Sequence, residues 1–149
     1  MSQQQDKIIE FQGPYRFLSN FWPATFVWDG IFWSCSENAY VAAKTLDRAT
    51  RLQISKIANP GAAKRFGRKM KLRDDWDQVK FGLMEEIVRA KFSQNPGLAK
   101  QLVDTGDAVL DEGNTWNDRI WGISPPGSGN GENWLGRILM KIRDELKGK

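Results

Sequence analysis

The segment SENAYVAAKT, residues 36–45, sets a carboxylate, a phenol and an amine on one side of a helix. Glu37, Tyr40, Val41 and Lys44 fall at i, i+3, i+4 and i+7, which is one face of a 3.6-residue repeat. A carboxylate there can act as general acid or base, or stabilise a cation developing at a sugar carbon. A lysine whose pKa is lowered by burial or by nearby cations attacks a carbonyl carbon and forms a Schiff base. Two other segments combine similar groups. YRFLSNFWP, 15–23, holds Arg16, Asn20, Phe21 and Trp22; WNDRIWG, 116–122, holds Trp116, Asp118 and Trp121 in a Gly-flanked loop. Loops carrying such residues often bind ligands. Aromatic rings stack on nucleobases, worth roughly 1–3 kcal/mol per base, and Arg16 and Arg68 suit a phosphate. The competing structural explanation is a first-turn Glu favoured by the helix dipole, a solvated lysine, and Trp rings that plug a loop against the core.

Composition narrows the chemistry. The chain of 149 residues contains no histidine and one cysteine, Cys35. Ser–His and Cys–His couples are therefore excluded, as is a zinc site built on histidine, and one thiolate makes no metal cage. Catalysis falls to Asp, Glu, Lys, Tyr or Cys, with no metal and no cofactor expected. Cys35 reads as a small buried hydrophobe. No disulfide can form within the chain, which fits a reducing compartment. The polar start MSQQQDKIIE has no apolar leader core, and no apolar run approaches a membrane span, so a cytoplasmic protein is expected. Net charge is +4, unevenly placed: Lys44 to Arg73 holds ten basic residues against Asp47, a net +9, leaving −5 for the rest. So concentrated a basic segment suggests an anionic partner, nucleic acid or a phosphorylated small molecule.

The elements that must hold these groups can be read in order. The length suggests one domain, 1–149. KIIEF, 7–11, reads as a strand. Asp29-Gly30 between aromatic and β-branched runs predicts a hairpin, 25–28 and 31–34. Ser36 is the expected N-cap of a helix to about Arg48, and Thr50 of a short helix over 51–58. Asn59-Pro60 starts a helix to about residue 66, ended by Gly67. Residues 76–93 form the clearest amphipathic helix, with Val79, Leu83, Ile87 and Ala90 on one stripe. Asn95-Pro96 opens a helix to about Val103, and 108–112 suit a strand. A Gly-rich loop then leads to a last helix with Leu135, Leu139, Ile142 and Leu146 on one face.

FLSNF (17–21), SENAYVAAK (36–44), GRKM…W (67–76), AKFSQNPGL (90–98), TGDAVLDEGN (105–114), DRIWG (118–122) and NWLGRILMKIR (133–143) together resemble the NADAR superfamily, also called YbiA-like. They occur in the family's order and cover nearly the whole chain. The resemblance implies a mostly helical α+β fold with a small hairpin or sheet, and hydrolysis of an N-glycosidic bond to ribose. It implies catalytic positions at Glu37, Lys44 and Asp118. It places Trp121 among the functional positions, and with the loop and helix residues above the expected substrate-binding set is Arg16, Ser19, Asn20, Phe21, Tyr40, Arg68, Trp76, Trp116, Trp121, Gly122 and Asn133. Lys44 would form the Schiff base while Glu37 and Asp118 move protons. The first expected substrate is ADP-ribosylated guanine in DNA or RNA; the second is a phosphorylated ribosylamino-pyrimidine intermediate of riboflavin synthesis. A non-catalytic binder of ADP-ribose, NAD or nucleic acid is the third alternative. The family's helix motif often reads Glu-His-x-Tyr/Phe-Gln-x-x-Lys; here Asn38 and Val41 stand at the His and Gln positions.

Overall fold

The computed structural model describes residues 6–148, so the first five residues of the polar start lie outside the described residues. The elements in chain order are β1 (Lys7–Ile8), a 3-10 helix (Gly13–Leu18), β2 (Phe26–Trp28), β3 (Ile31–Trp33), α1 (Ser36–Ala43), α2 (Arg48–Ser55), α3 (Pro60–Arg68), α4 (Trp76–Ser93), α5 (Pro96–Asp104), β4 (Val109–Leu110) and α6 (Trp134–Lys147). The α+β, mostly helical expectation holds. Packing divides the chain into two compact units, Asn20–Asn95 and Met1–Ser19 with Pro96–Lys149.

In the unit Asn20–Asn95, β2 and β3 pair antiparallel with Phe26 opposite Trp33. Asp29 and Gly30 have φ of 56° and 68°, the two positive values that a type I′ turn requires. Helix α1 packs on α2, α3 and α4. All eight of its residues are buried, Glu37 and Tyr40 included. Ser36 is not its cap. Cys35 takes that position without a side-chain capping bond to a helix N–H. The orphan N–H of Glu37 instead donates to the carbonyl of Asn20 at 3.0 Å, and the Ser36 hydroxyl donates to Asn20 Oδ1 at 3.0 Å. The helix start is thus satisfied from outside the helix. Its end comes early, at Ala43, with Lys44 as C-cap.

Asp47, not Thr50, caps α2, because its carboxylate accepts from both the N–H and the hydroxyl of Thr50. Asn59 caps α3 by accepting from Gly61 and Ala62 N–H. Gly67 does not stop that helix. It is buried where α3 crosses α1, and a Cβ there would lie 2.8 Å from Val41 Cγ1. Gly67→Ala should therefore cost about 1–3 kcal/mol by overpacking. In a Val41→Ala background the same change becomes neutral or stabilising, since alanine is the better helix former by about 1 kcal/mol. Denaturant unfolding of the four-member cycle checks this, and strict additivity would show that the two side chains do not compete for space.

The range of α4 is as expected, but its buried face differs. Trp76, Met84, Ile87, Val88, Lys91 and Phe92 are buried, whereas Val79, Leu83 and Ala90 are half-buried. Beyond its end, the Gln94 amide accepts from Val27 N–H at 2.8 Å and donates to Val27 O at 2.9 Å, fastening α4 to the hairpin edge.

In the other unit, β1 and β4 pair in parallel, Lys7 with Val109 and Ile8 with Leu110. Both strands are shorter than the sequence suggested. The segment around Tyr15, read as loop, forms a 3-10 helix with Pro14 at its start. Leu135, Leu139 and Ile142 of α6 are buried, and Leu146 is half-buried. Arg143 reaches from α6 to donate to Thr105 Oγ1 at 2.9 Å and the Ala108 carbonyl at 2.8 Å. No helix among the described residues is long and apolar enough to cross a membrane.

Candidate active site

Glu37, Tyr40 and Lys44 lie along α1, as their spacing requires. Tyr40 is buried against Trp76, ring centroids 5.3 Å apart and planes inclined by 51°. The Lys44 amine stands 5.6 Å from the Tyr40 centroid and is half-buried. Burial lowers its pKa; Lys64 and Arg68 on α3 lower it further, and Glu37 opposes them. The sequence left the contest between Glu37 and the basic segment open. Here the net direction is down, toward a neutral, nucleophilic amine. The backbone of Lys44 is pinned too, its carbonyl accepting from Arg73 N–H at 2.8 Å.

Two neighbours on α1 have structural work. Asn38, fully buried, donates from Nδ2 to the carbonyls of Ile54 and Ile57 at 3.1 and 2.9 Å. It thereby closes the C-terminal end of α2 onto α1. Cys35 Sγ donates to Asn38 Oδ1 at 3.1 Å, and burial raises the thiol pKa; it is a packed thiol, as expected. Val41 fills the Gly67 contact. The positions at which the family motif often carries His and Gln are thus occupied by a helix tie and a packing contact.

Asn20 is committed to the start of α1, and its amide also donates to Met84 Sδ at 3.5 Å. It therefore fixes the backbone at Glu37. Phe21 is 39% exposed, with the Lys64 amine 5.9 Å from its ring centroid. Arg68 is exposed at the end of α3. Lys64 was absent from the sequence-derived set; only its i, i+4 relation to Arg68 signals it. Arg51 was missed as well. It is buried, stacks 5.0 Å from the Trp28 centroid, pairs with Asp29 at 2.8 Å and donates to the carbonyls of Ala42 and Thr45 at 3.2 and 2.9 Å. This guanidinium fixes the turn that follows Lys44.

The remaining candidates belong to the other unit. Asp118 Oδ1 accepts from the N–H groups of Ile120 and Trp121 at 3.1 and 3.0 Å, so one carboxylate oxygen shapes the loop. Asn114, which sequence reading passed over, is the hub: its amide donates to the Asp118 carbonyl at 2.9 Å and accepts from Asp118 N–H at 3.0 Å. Gly122 is required by close approach, since a Cβ would meet the Glu112 carbonyl at 2.0 Å. Asn133, buried with φ of 54°, donates to Leu110 O and Asp111 Oδ1 at 2.9 and 3.1 Å and accepts from Glu112 N–H at 2.9 Å. Its amide is spent holding β4 to the start of α6. Trp116 is 61% exposed and Trp121 half-buried. Arg16 is exposed within the 3-10 helix and Ser19, half-buried, caps its end.

Comparison with known proteins gives the class of protein this architecture defines. The NADAR domain model matches residues 8–147 and runs through both units, and the chain belongs to the NADAR family. Among individual relatives, it is 40% identical over 149 residues to a protein named N-glycosidase YbiA from Escherichia coli strain K12, covering 95% of this chain and 90% of that one. The NMR structure of E. coli YbiA superposes with a TM-score of 0.82 at 38% identity, over 96% of this chain and 86% of that one. A protein named riboflavin biosynthesis protein VVA0006 from Vibrio vulnificus is 39% identical over 135 residues, covering 89% of this chain and 36% of that longer protein.

Proposed function

We propose that the chain hydrolyses the N-glycosidic bond of a phosphorylated ribosylamino-heterocycle through a Schiff base on Lys44. The chain is an N-glycosidase by family and relatives. What carries the mechanism is the half-buried Lys44 amine, its pKa lowered by burial and by two cations, on the same helix as Glu37. The neutral amine attacks ribose C1. The bond from C1 to the base nitrogen breaks and the ring C1–O4 bond opens. The two amine protons pass to O4 and to the leaving nitrogen, leaving a Lys44 imine of open-chain ribose. Water adds to that imine, releasing the sugar aldehyde and restoring the amine. Glu37, on the same helix, relays protons in both halves.

Two substrates fit this chemistry. A ribosylamino-pyrimidine intermediate is favoured by the relative named for riboflavin biosynthesis. ADP-ribosylated guanine in nucleic acid is favoured by the +9 segment from Lys44 to Arg73. The test presents both. Release of ribose 5-phosphate from a 5-phosphorylated ribosylamino-pyrimidine is expected. If a guanine-ADP-ribosylated oligonucleotide is the better substrate, its binding should weaken steeply with salt as counterions are released from several phosphates. Salt-independent binding of that oligonucleotide would eliminate it. Turnover of neither by folded protein would reduce the chain to a binding module.

A further inference from the structure

The proposed chemistry consumes a ribose that carries a 5-O-phosphoryl group, and the Lys44 imine does nothing to hold that group. Helix α3 offers what is missing. Lys64 and Arg68 stand four residues apart, on one face of that helix. They flank Gly67, where α3 lies closest to α1 through Val41. Both act electrostatically on Lys44, so three cations converge at one end of α1. Neither Lys64 nor Arg68 forms an ion pair with a carboxylate among the described residues. Three other cations of the same segment are compensated: Arg48 and Arg51 pair with Asp29, and Arg73 with Asp75. Beside the cluster lies the partly exposed ring of Phe21, 5.9 Å from the Lys64 amine. Uncompensated positive charge next to a nucleophilic amine and an aromatic face suits an anion attached to a sugar.

We propose that Lys64 and Arg68 form the subsite that receives the 5-O-phosphoryl group of the substrate ribose and so places C1 at Lys44. This rests on the Schiff-base reading above for its catalytic meaning, though not for binding. The close seat of α3 on α1, set by Gly67 and Val41, makes the separation between phosphoryl group and amine a fixed feature of the unit. Ribose 5-phosphate and ADP-ribose both present that group, one as a monoester and the other as a diphosphate.

The test has a binding arm and a chemical arm. Calorimetric titration with inorganic phosphate compares wild type, Lys64→Gln/Arg68→Gln and a charge-matched control, Lys69→Gln/Lys71→Gln, which alters two exposed lysines of the same segment. Thermal melts establish that each variant is folded. The expected result is at least a tenfold weaker phosphate affinity in the first variant and less than a twofold change in the control. Equal losses in both would overturn the subsite, because they would mean a diffuse field. In the chemical arm, borohydride traps adducts of ribose, ribose 5-phosphate and ADP-ribose. Trapping of the phosphorylated sugars at tenfold or lower concentration than ribose, with that preference lost in Lys64→Gln/Arg68→Gln, supports the subsite. A preference for ribose 5-phosphate over ADP-ribose identifies a monoester, the reverse a diphosphate. Phosphate binding lost in the variant without any adduct in wild type would keep the subsite and remove the Schiff base. An unchanged preference in the variant would remove the subsite.

Discussion

Lys44→Ala is expected to lower turnover of the ribosyl substrate by at least about 10³-fold, the scale on which loss of a covalent nucleophile is felt. Folding should be almost untouched. The side chain is half-buried, and the helix end depends on the residue's backbone N–H, which donates to Val41 O at 3.2 Å. A surface-like truncation of this kind changes stability by about 0.5 kcal/mol or less. Lys44→Arg is the sharper variant. It keeps the positive charge for an anionic ligand but forms no imine with a sugar carbon, so it should be as inactive as alanine. Turnover retained by arginine would sink the covalent role and leave an electrostatic one. Because the reaction needs the neutral amine, the rate should rise with pH through the lowered pKa of Lys44. Lys64→Gln, removing one of the cations that depress it, should move that rise to higher pH.

How far this site could be read from the sequence depends on whether the controlling contact is local. The Asp29-Gly30 turn, the Asn59-Pro60 helix start and the extent of α4 follow from neighbours in the chain, and they were legible. The beginning of α1 was not. The Glu37 N–H and the Ser36 hydroxyl are met by Asn20, sixteen residues upstream of Ser36, and no cap pattern around Ser36 encodes that. Gly67 was taken as a helix stop because glycine usually breaks periodicity. Its actual cause is a tertiary approach to Val41, 26 residues away, which local propensity cannot express. The parallel pairing of β1 with β4 joins residues about a hundred apart, and strands of two residues carry too little pattern to announce it.

The candidate residues divide along the same line. The spacing of Glu37, Tyr40 and Lys44 was visible because one helix carries them. What the spacing could not show is that every residue of α1 is buried, so that Glu37 and Tyr40 sit within packed structure while Lys44, at the helix end, is half-buried. Asn133, Asn20 and Gly122 were grouped with binding residues through the family pattern. Their hydrogen bonds and close contacts give each of them a positioning task that explains its residue type without a ligand. Lys64 and Arg51 went unnoticed as members of a charge run. Only the fold separates Arg51, buried and bonded to two carbonyls and Asp29, from Lys64, which forms no ion pair among the described residues.

A second lysine with a lowered pKa lies in the same unit, and its effect is on stability rather than on catalysis. Lys91 is 1% exposed, its amine 5.0 Å from the Phe92 centroid. Burial brings its pKa from 10.5 down to about 7, with Cys35 opposing. The unfolded chain therefore binds more protons than the folded one between those two values, and stability must rise with pH across that window. Above the unfolded value the group imposes no penalty. As pH falls toward 7 stability is lost, and below 7 the loss is complete. At 1.36 kcal/mol per pKa unit the ceiling is about 5 kcal/mol. Lys91→Met should flatten the slope between pH 7 and 10.5. The buried Cys35 thiol, its pKa raised by burial, contributes in the opposite sense, so the comparison is best made with Cys35→Ala in both chains. Equal pH slopes in the two proteins would mean that Lys91 keeps its charge in the core. The same burial separates the two lysines chemically. A 1% exposed amine is poorly placed to meet a sugar from solution, whereas Lys44 is only half-buried. Peptide mapping of the borohydride adduct should therefore find it on Lys44 alone, and an adduct on Lys91 would mean that this part of the core opens to ligand.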